Sequence, residues 1–277
     1  MRKVLGLAGV ALIVLTSCSS GTKTTTSATP AAINVAAVNY AFTAPSTVAA
    51  GAVSVTLKNN GKEAHQAQLF KLNNGVDVGT LVTAAKVSQS PDLVLDKLGT
   101  WVGGPDAVDP GKSTVATASL AAGKYAFVCL LPDAKGRAHL ALGMVSALTV
   151  TANSDQAALP SAVANASTHE FGFQLPSKWT GTIAVTNNGR QPHEFQVLGI
   201  APGKTPADFE KFFKSPGAGG PPVYTGEGGS AVLAPGSRQV FDIDLKPGTY
   251  YVMCFVTDPQ RKAPHFALGM IQRFEVK

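Results

Sequence analysis

Gly248-Thr249-Tyr250-Tyr251-Val252-Met253-Cys254 and, after ten intervening residues, His265-Phe266-Ala267-Leu268-Gly269-Met270 decide the reading of this chain. Both stretches have earlier counterparts. Gly123-Lys124-Tyr125 leads to Cys129, and nine intervening residues then separate that cysteine from His139-Leu140-Ala141-Leu142-Gly143-Met144. Working outward, Pro110-Gly111 matches Pro235-Gly236, and Asn59-Asn60-Gly61 matches Asn187-Asn188-Gly189. Each Asn-Asn-Gly is followed, four residues past its glycine, by a histidine, His65 or His193. The offset is 128 at this landmark and 125 or 126 at the others. Matches in one order at nearly one offset mark an internal duplication. The two copies occupy 33–151 and 163–277, each of ordinary domain size, with a polar linker containing Pro160 between them.

Each copy reads as strands. The segments 53–57 and 182–186 alternate apolar and polar residues and stop at Asn-Asn-Gly, a strong turn signal. Phe241, Ile243 and Leu245 alternate with polar residues before Pro247-Gly248, and Leu148 and Val150 alternate as Phe274 and Val276 do. Short strands with turn signals between them predict an all-β protein: two tandem Greek-key sandwiches. Each has a short helical insertion. In the second copy Thr205 caps a helix that has Pro206 at its first position and runs to about Lys214. Its counterpart falls within 78–98, with less definite ends.

Composition narrows the function. The chain has 277 residues, 45% of them hydrophobic and 14% charged, with a formal net charge of +6. That is a globular composition, and the basic residues are too scattered for nucleic-acid binding. Three cysteines, Cys18, Cys129 and Cys254, are too few for a disulfide-framed miniprotein. Met1-Arg2-Lys3 and the apolar run 4–15 have the anatomy of a signal peptide over 1–17. The run ends in Leu15-Thr16-Ser17-Cys18, which resembles a bacterial lipobox. Lipidation of Cys18, with 18–32 as a flexible tether, implies an extracytoplasmic protein anchored to the cell membrane. The alternative is an ordinary signal peptide with an incidental cysteine.

The chemistry lies in eight residues. His65, Cys129, His139 and Met144 recur as His193, Cys254, His265 and Met270, and only His169 lies outside this pattern. Two imidazoles, one thiolate and a weak axial thioether form a type 1 copper site. A competing reading is a disulfide between Cys129 and Cys254, which requires two equivalent strand ends to meet. Tyr125 and Tyr250 read as packing residues, and Asn60 and Asn188 as turn supports.

Each copy resembles the cupredoxins, the plastocyanin and azurin family. The stretch from Gly248 to Cys254 is similar to the plastocyanin strand that leads into its cysteine ligand, and 187–193 is similar to the segment that carries its first histidine. Pro264 before His265, and the long cysteine-to-histidine stretch, are more similar to the copper nitrite reductases. The resemblance implies one copper per domain, held by the eight residues above, and electron transfer between a protein donor and acceptor by a monomer that is not an enzyme. It further implies that His139 and His265 lie on exposed loops where electrons enter and leave. Gln66 and Glu194 stand where cupredoxins often have Asn, which alters the surroundings of the first histidine. Other readings are copper storage, delivery or sensing, a metal-free surface module, and a copper oxidase or nitrite reductase. The last would need more histidines than the chain has to spare.

Overall fold

Val53, Val55 and Leu57 are fully buried, while Ser54 and Thr56 between them are half-buried, as period-two burial requires of a strand. This strand, Gly51–Asn59, is one of 17 in the computed structural model, which describes Met1, 28–214 and 222–277. The leader, Cys18 and most of the tether lie outside the described residues.

The strands form two sheets, and both run through the two copies. The first, in order, is Gly172–Gln174, Ala164–His169, Thr180–Asn187 and Arg238–Asp244, then Ser113–Leu120, Gly51–Asn59, Ala31–Val38 and Ala41–Thr43. The order is a palindrome of equivalent strands. At its centre Arg238–Asp244 pairs antiparallel with its own counterpart Ser113–Leu120, and Phe241 faces Ala116, the residue 125 positions earlier. The second sheet behaves likewise: Tyr224–Leu233 runs beside Gly99–Gly103 and the segment after it. There Pro105 faces Ser230, again 125 positions apart. Equivalent residues that face each other define a pseudo-twofold axis, so the duplicated halves join as an isologous dimer does.

Side chains reinforce this seam. Gln239 receives the Gly104 N–H at 2.6 Å and returns a hydrogen bond to the Gly104 carbonyl at 3.2 Å. Gln68 donates to the Val232 carbonyl at 3.1 Å, and its equivalent Gln196 accepts the Ala107 N–H at 3.0 Å. All three glutamines are buried, so each unmade bond would carry the cost of desolvation. One apolar cluster reaches from Phe70, Trp101 and Val128 of the first half to Phe195, Phe241 and Val252 of the second.

The helical insertions agree with their sequence signals. Pro206–Lys214 is helical, and the Thr205 hydroxyl accepts the Asp208 N–H at 3.2 Å while Asp208 accepts the Thr205 N–H at 2.8 Å. This reciprocal cap is a capping box with Asp in place of Glu, and such a cap contributes about 1 kcal/mol. Phe209 stacks on Tyr251 with ring centroids 3.8 Å apart, which docks the helix on the sheet. The first half has two short helices in the corresponding stretch, Val78–Lys86 and Pro91–Leu95. Asp77 caps the first by accepting the Thr80 N–H at 2.8 Å.

Candidate metal centre

Three pieces of chain meet at one end of each half. The cysteine follows a central strand, Gly123–Val128 or Gly248–Met253. The second histidine opens a one-turn 3-10 helix, His139–Leu142 or His265–Leu268. That turn ends in Gly143 or Gly269 with φ near 100°, a left-handed conformation suited to glycine, and so delivers the methionine back beside the cysteine. Backbone bonds lock the loop: Cys129 N–H donates to the Met144 carbonyl at 3.3 Å, and Met144 N–H to the His139 carbonyl at 3.0 Å. The second half repeats both bonds at 3.2 and 2.9 Å.

The donor atoms converge. Cys129 Sγ lies 3.4 Å from His139 Nδ1 and 3.9 Å from His65 Nδ1, and the two Nδ1 atoms are 3.2 Å apart. In the second site the same distances are 3.4, 3.9 and 3.1 Å. Met144 and Met270 are fully buried, in the same apolar clusters as Cys129 and Cys254 respectively. The structure thus brings six of the eight predicted residues, the histidines and cysteines, together in two congruent sets, with Met144 and Met270 buried and bonded through their backbones beside them. It leaves His169 exposed at the end of its strand. Both cysteines are free thiols, each inside its own site, and no disulfide joins them.

The partners of the far ring nitrogens set the tautomers. His65 Nε2 lies 3.2 Å from Asn39 Oδ1, and His139 Nε2 lies 3.0 Å from Glu63 Oε2. His265 Nε2 lies 3.2 Å from Gln191 Oε1, and His193 Nε2 is 3.4 Å from Glu170 Oε1. At His65, His139 and His265 these acceptors place the proton on Nε2 and leave the Nδ1 lone pairs aimed inward, at each other and at sulfur; His193 Nε2 is buried and makes no hydrogen bond, so Glu170 is only a charged neighbour there. Burial and the neighbouring imidazole push His65 and His265 down to about 4, so both are neutral at pH 7. Burial pushes the Cys129 thiol up to about 12 and raises Cys254 as well. Converging neutral imidazoles and a thiol that ionises only with a cation at hand are the chemistry of a metal site closed to water. Soft sulfur and imidazole with a buried thioether suit copper.

The outer partners are exchanged between the sites. Asn39 is the counterpart of Glu170, and Glu63 the counterpart of Gln191. Each site therefore has one carboxylate and one amide. The carboxylate faces the second histidine in the first half and the first histidine in the second half. These four residues escape a sequence reading because isolated polar residues carry no periodic signal. A usable clue is that Glu63 and Gln191 each stand two residues before a ligand histidine.

Asn59 and Asn187 organise the turn. Asn59 donates to the Glu63 and Val108 carbonyls at 2.8 Å each and accepts the Gly61 N–H at 2.9 Å. Asn187 does the same with Gln191, Leu233 and Gly189. The side chains that clamp the turn are therefore these buried asparagines, one residue before Asn60 and Asn188. The expectation that His139 and His265 lie on exposed loops is also corrected. They are 1% and 0% exposed. Glu63 and Gln191 cap their outer nitrogens, and the rings of Tyr40 and Phe171 cover them at centroid distances of 4.7 and 5.0 Å. Gln66 and Glu194 are buried too. Glu194 accepts the Phe255 N–H at 2.8 Å, which ties the residue after His193 to the residue after Cys254. The Glu194 N–H points to Cys254 Sγ at 3.4 Å. Tyr125 and Tyr250 are indeed structural, and each hydroxyl donates to the carbonyl four residues before it.

No family model matches the chain, and no curated protein matches it. Solved structures do. A dithionite-reduced auracyanin from Roseiflexus castenholzii is 23% identical over 45% of this chain and 99% of its own, with a TM-score of 0.31. Auracyanin A, a blue copper protein from Chloroflexus aurantiacus, is 22% identical over 44% of this chain and 100% of its own, with a TM-score of 0.32. A multicopper oxidase covers 89% of this chain and 88% of its own at 12% identity and a TM-score of 0.25. Among the described residues no helix is long and apolar enough to cross a membrane. By its strands and its donor set, each half of the chain is a β-sandwich domain that resembles the cupredoxins, and its buried His-Cys-His group with a methionine nearby fits one type 1 copper ion.

Proposed function

We propose that this protein carries single electrons between redox partners outside the cytoplasm, held at the membrane through Cys18, and that it is not an enzyme. The observation that carries the proposal is the congruence of two closed donor sets, in which the distances among the cysteine sulfur and the two Nδ1 atoms match within 0.1 Å. Bound copper supplies a Cu(I)/Cu(II) couple. The protein's part is to hold two imidazoles, a thiolate and a thioether in one arrangement for both oxidation states, so that little moves when an electron passes. The Asn59 and Asn187 clamps, the backbone bonds around each cysteine and the hydrogen-bonded Nε2 atoms of His65, His139 and His265 provide that rigidity. Burial of all the ligands excludes water and leaves no open position for a substrate, unlike a catalytic metal site. With four of the five histidines in the two sets, one exposed histidine remains, which argues against a further catalytic copper.

The test is stopped-flow oxidation of the copper-loaded, reduced protein by a one-electron acceptor, with its visible absorption as readout. Rapid, reversible cycling of both sites is expected. Copper that is released on reduction, or passed intact to a chelator faster than electrons are exchanged, would replace electron transfer with copper delivery. Turnover of nitrite or oxygen would make the protein an enzyme.

A further inference from the structure

The first histidine of each site hangs on a short segment of its own half, and the other half grips that segment. The His65 N–H donates to the Val108 carbonyl at 3.2 Å, and the His65 carbonyl accepts the Val108 N–H at 3.1 Å. Asn59 donates to the same Val108 carbonyl at 2.8 Å. Ala107, one residue before Val108, is held by Gln196 of the second half. The Gln196 side-chain oxygen accepts the Ala107 N–H at 3.0 Å, and its amide nitrogen donates to the Ala107 carbonyl at 3.3 Å. Gln196 lies on the strand His193–Ile200, which opens with the other first histidine. The return path is equivalent. His193 pairs with Leu233, whose carbonyl accepts from Asn187 at 2.9 Å. Val232, one residue before Leu233, accepts from Gln68 at 3.1 Å, and Gln68 lies three residues after His65. Both glutamines, both asparagines and both histidines are buried, so a broken link would leave a polar group desolvated and unpaired. The two grips differ in one respect. Gln196 holds Ala107 by both ends of its amide, whereas Gln68 Oε1 has no partner and only the nitrogen reaches Val232.

We infer that Gln196 and Gln68 are positioning residues that couple the two metal sites across the seam, so that filling one site raises the affinity of the other. The inference rests on the reading of both sites as copper centres. Fixing His193 in its site restrains the strand it opens, and with it Gln196, Ala107, Val108 and the backbone of His65. Fixing His65 restrains Gln68, Val232, Leu233 and His193 in the same way. The ordering cost met at one site is then not met again at the other, which gives positive cooperativity without a change of shape. Gln196, with its two-ended grip, carries the larger share. The coupling shows in affinities below saturation, and at saturating copper each site still fills on its own.

The experiment is Cu(I) titration of the full chain against a competing chelator, bathocuproine disulfonate, with the methyl NMR signals of Met144 and Met270 reporting the two sites separately. The first site should bind Cu(I) about fivefold or more tightly in the wild-type chain, where the second site is filled, than in Cys254→Ser, where it is not. Coupling is reciprocal, so Cys129→Ser should lower the affinity of the second site by the same factor. Gln196→Met, which keeps the side-chain volume and removes the bonds to Ala107, should bring the first-site ratio close to one, and Gln68→Met should lower it less. Equal first-site affinity in the wild type and in Cys254→Ser, or a ratio that survives Gln196→Met, would overturn the inference and leave two independent copper sites. If Gln196→Met fails to fold by circular dichroism, Gln68→Met decides, and an undiminished ratio in that variant is likewise contrary. Failure of both sites to take up Cu(I) would overturn the copper reading itself, and the coupling with it.

Discussion

Replacing Glu63 by Gln removes a charge from one copper site and leaves the other untouched. Glu63 Oε2 sits 3.0 Å from His139 Nε2, and its other oxygen accepts the Tyr40 hydroxyl at 2.9 Å. A carboxylate there makes the imidazole a stronger donor and favours the more positive oxidation state of the metal. A hydrogen bond to a charged group is worth about 1.5–3 kcal/mol when buried. The His139 side chain is 1% exposed but that of Glu63 is 37% exposed, so solvent screening brings the figure to about 1 kcal/mol. If this falls wholly on the oxidised state, Glu63→Gln raises the potential of the first site by about 40 mV and weakens Cu(II) binding by about fivefold. The assay is spectroelectrochemical titration in a Cys254→Ser background, so that only the first site reports. In a Cys129→Ser background the same substitution should do nothing. No shift in the first site, or a downward one, would refute the argument that Glu63 acts through His139.

Other outcomes follow from the same geometry. A Cβ on Gly61 would come within 2.5 Å of His65 Nε2 and Asn39 Oδ1, so Gly61→Ala should displace His65 and lower copper occupancy of the first site alone. Gly189→Ala should do the same to the second, where the Cβ would meet His193 Nε2 at 2.7 Å. Phe241 is buried on the pseudo-twofold seam, and Phe241→Ala should cost about 3–5 kcal/mol in denaturant unfolding. In the metal-free protein His65 and His265 titrate near 4 instead of at their usual value, so the unfolded chain binds more protons between about pH 6.5 and 4. Stability is therefore full above that window and falls as pH drops through it, by about 3 kcal/mol per histidine; thermal melts of the metal-free protein across this range check the sign and size. A flat profile would contradict the neutral, inward-facing imidazoles.

The duplication and the ligands were legible because the chemistry permits few residue types. Histidine and cysteine at matched spacings supply the strong ligands and are hard to exchange for other residues without losing the metal. The Thr205-Pro206 helix start was legible for a similar reason, since cap and first-turn positions are selective. The outer partners were not, because an imidazole N–H donates to an amide or a carboxylate oxygen equally well. The exchange of Asn39 and Glu63 for Glu170 and Gln191 shows that tolerance at work. The continuous sheets were not legible either. Pairing across the seam depends on which strand edges meet, and Ser113–Leu120 and Arg238–Asp244 carry no local mark of an edge. Nor was the burial of His139 and His265, which follows from Tyr40 and Phe171, distant in sequence from the loops they cover.

Copper stoichiometry read together with the visible spectrum tests the central claim most directly. The soluble fragment starting after residue 27 should bind two copper ions per chain, with an intense thiolate-to-copper absorption in the visible. Cys129→Ser and Cys254→Ser should each halve both. A colourless protein, or copper binding that survives loss of both cysteines, would contradict the account.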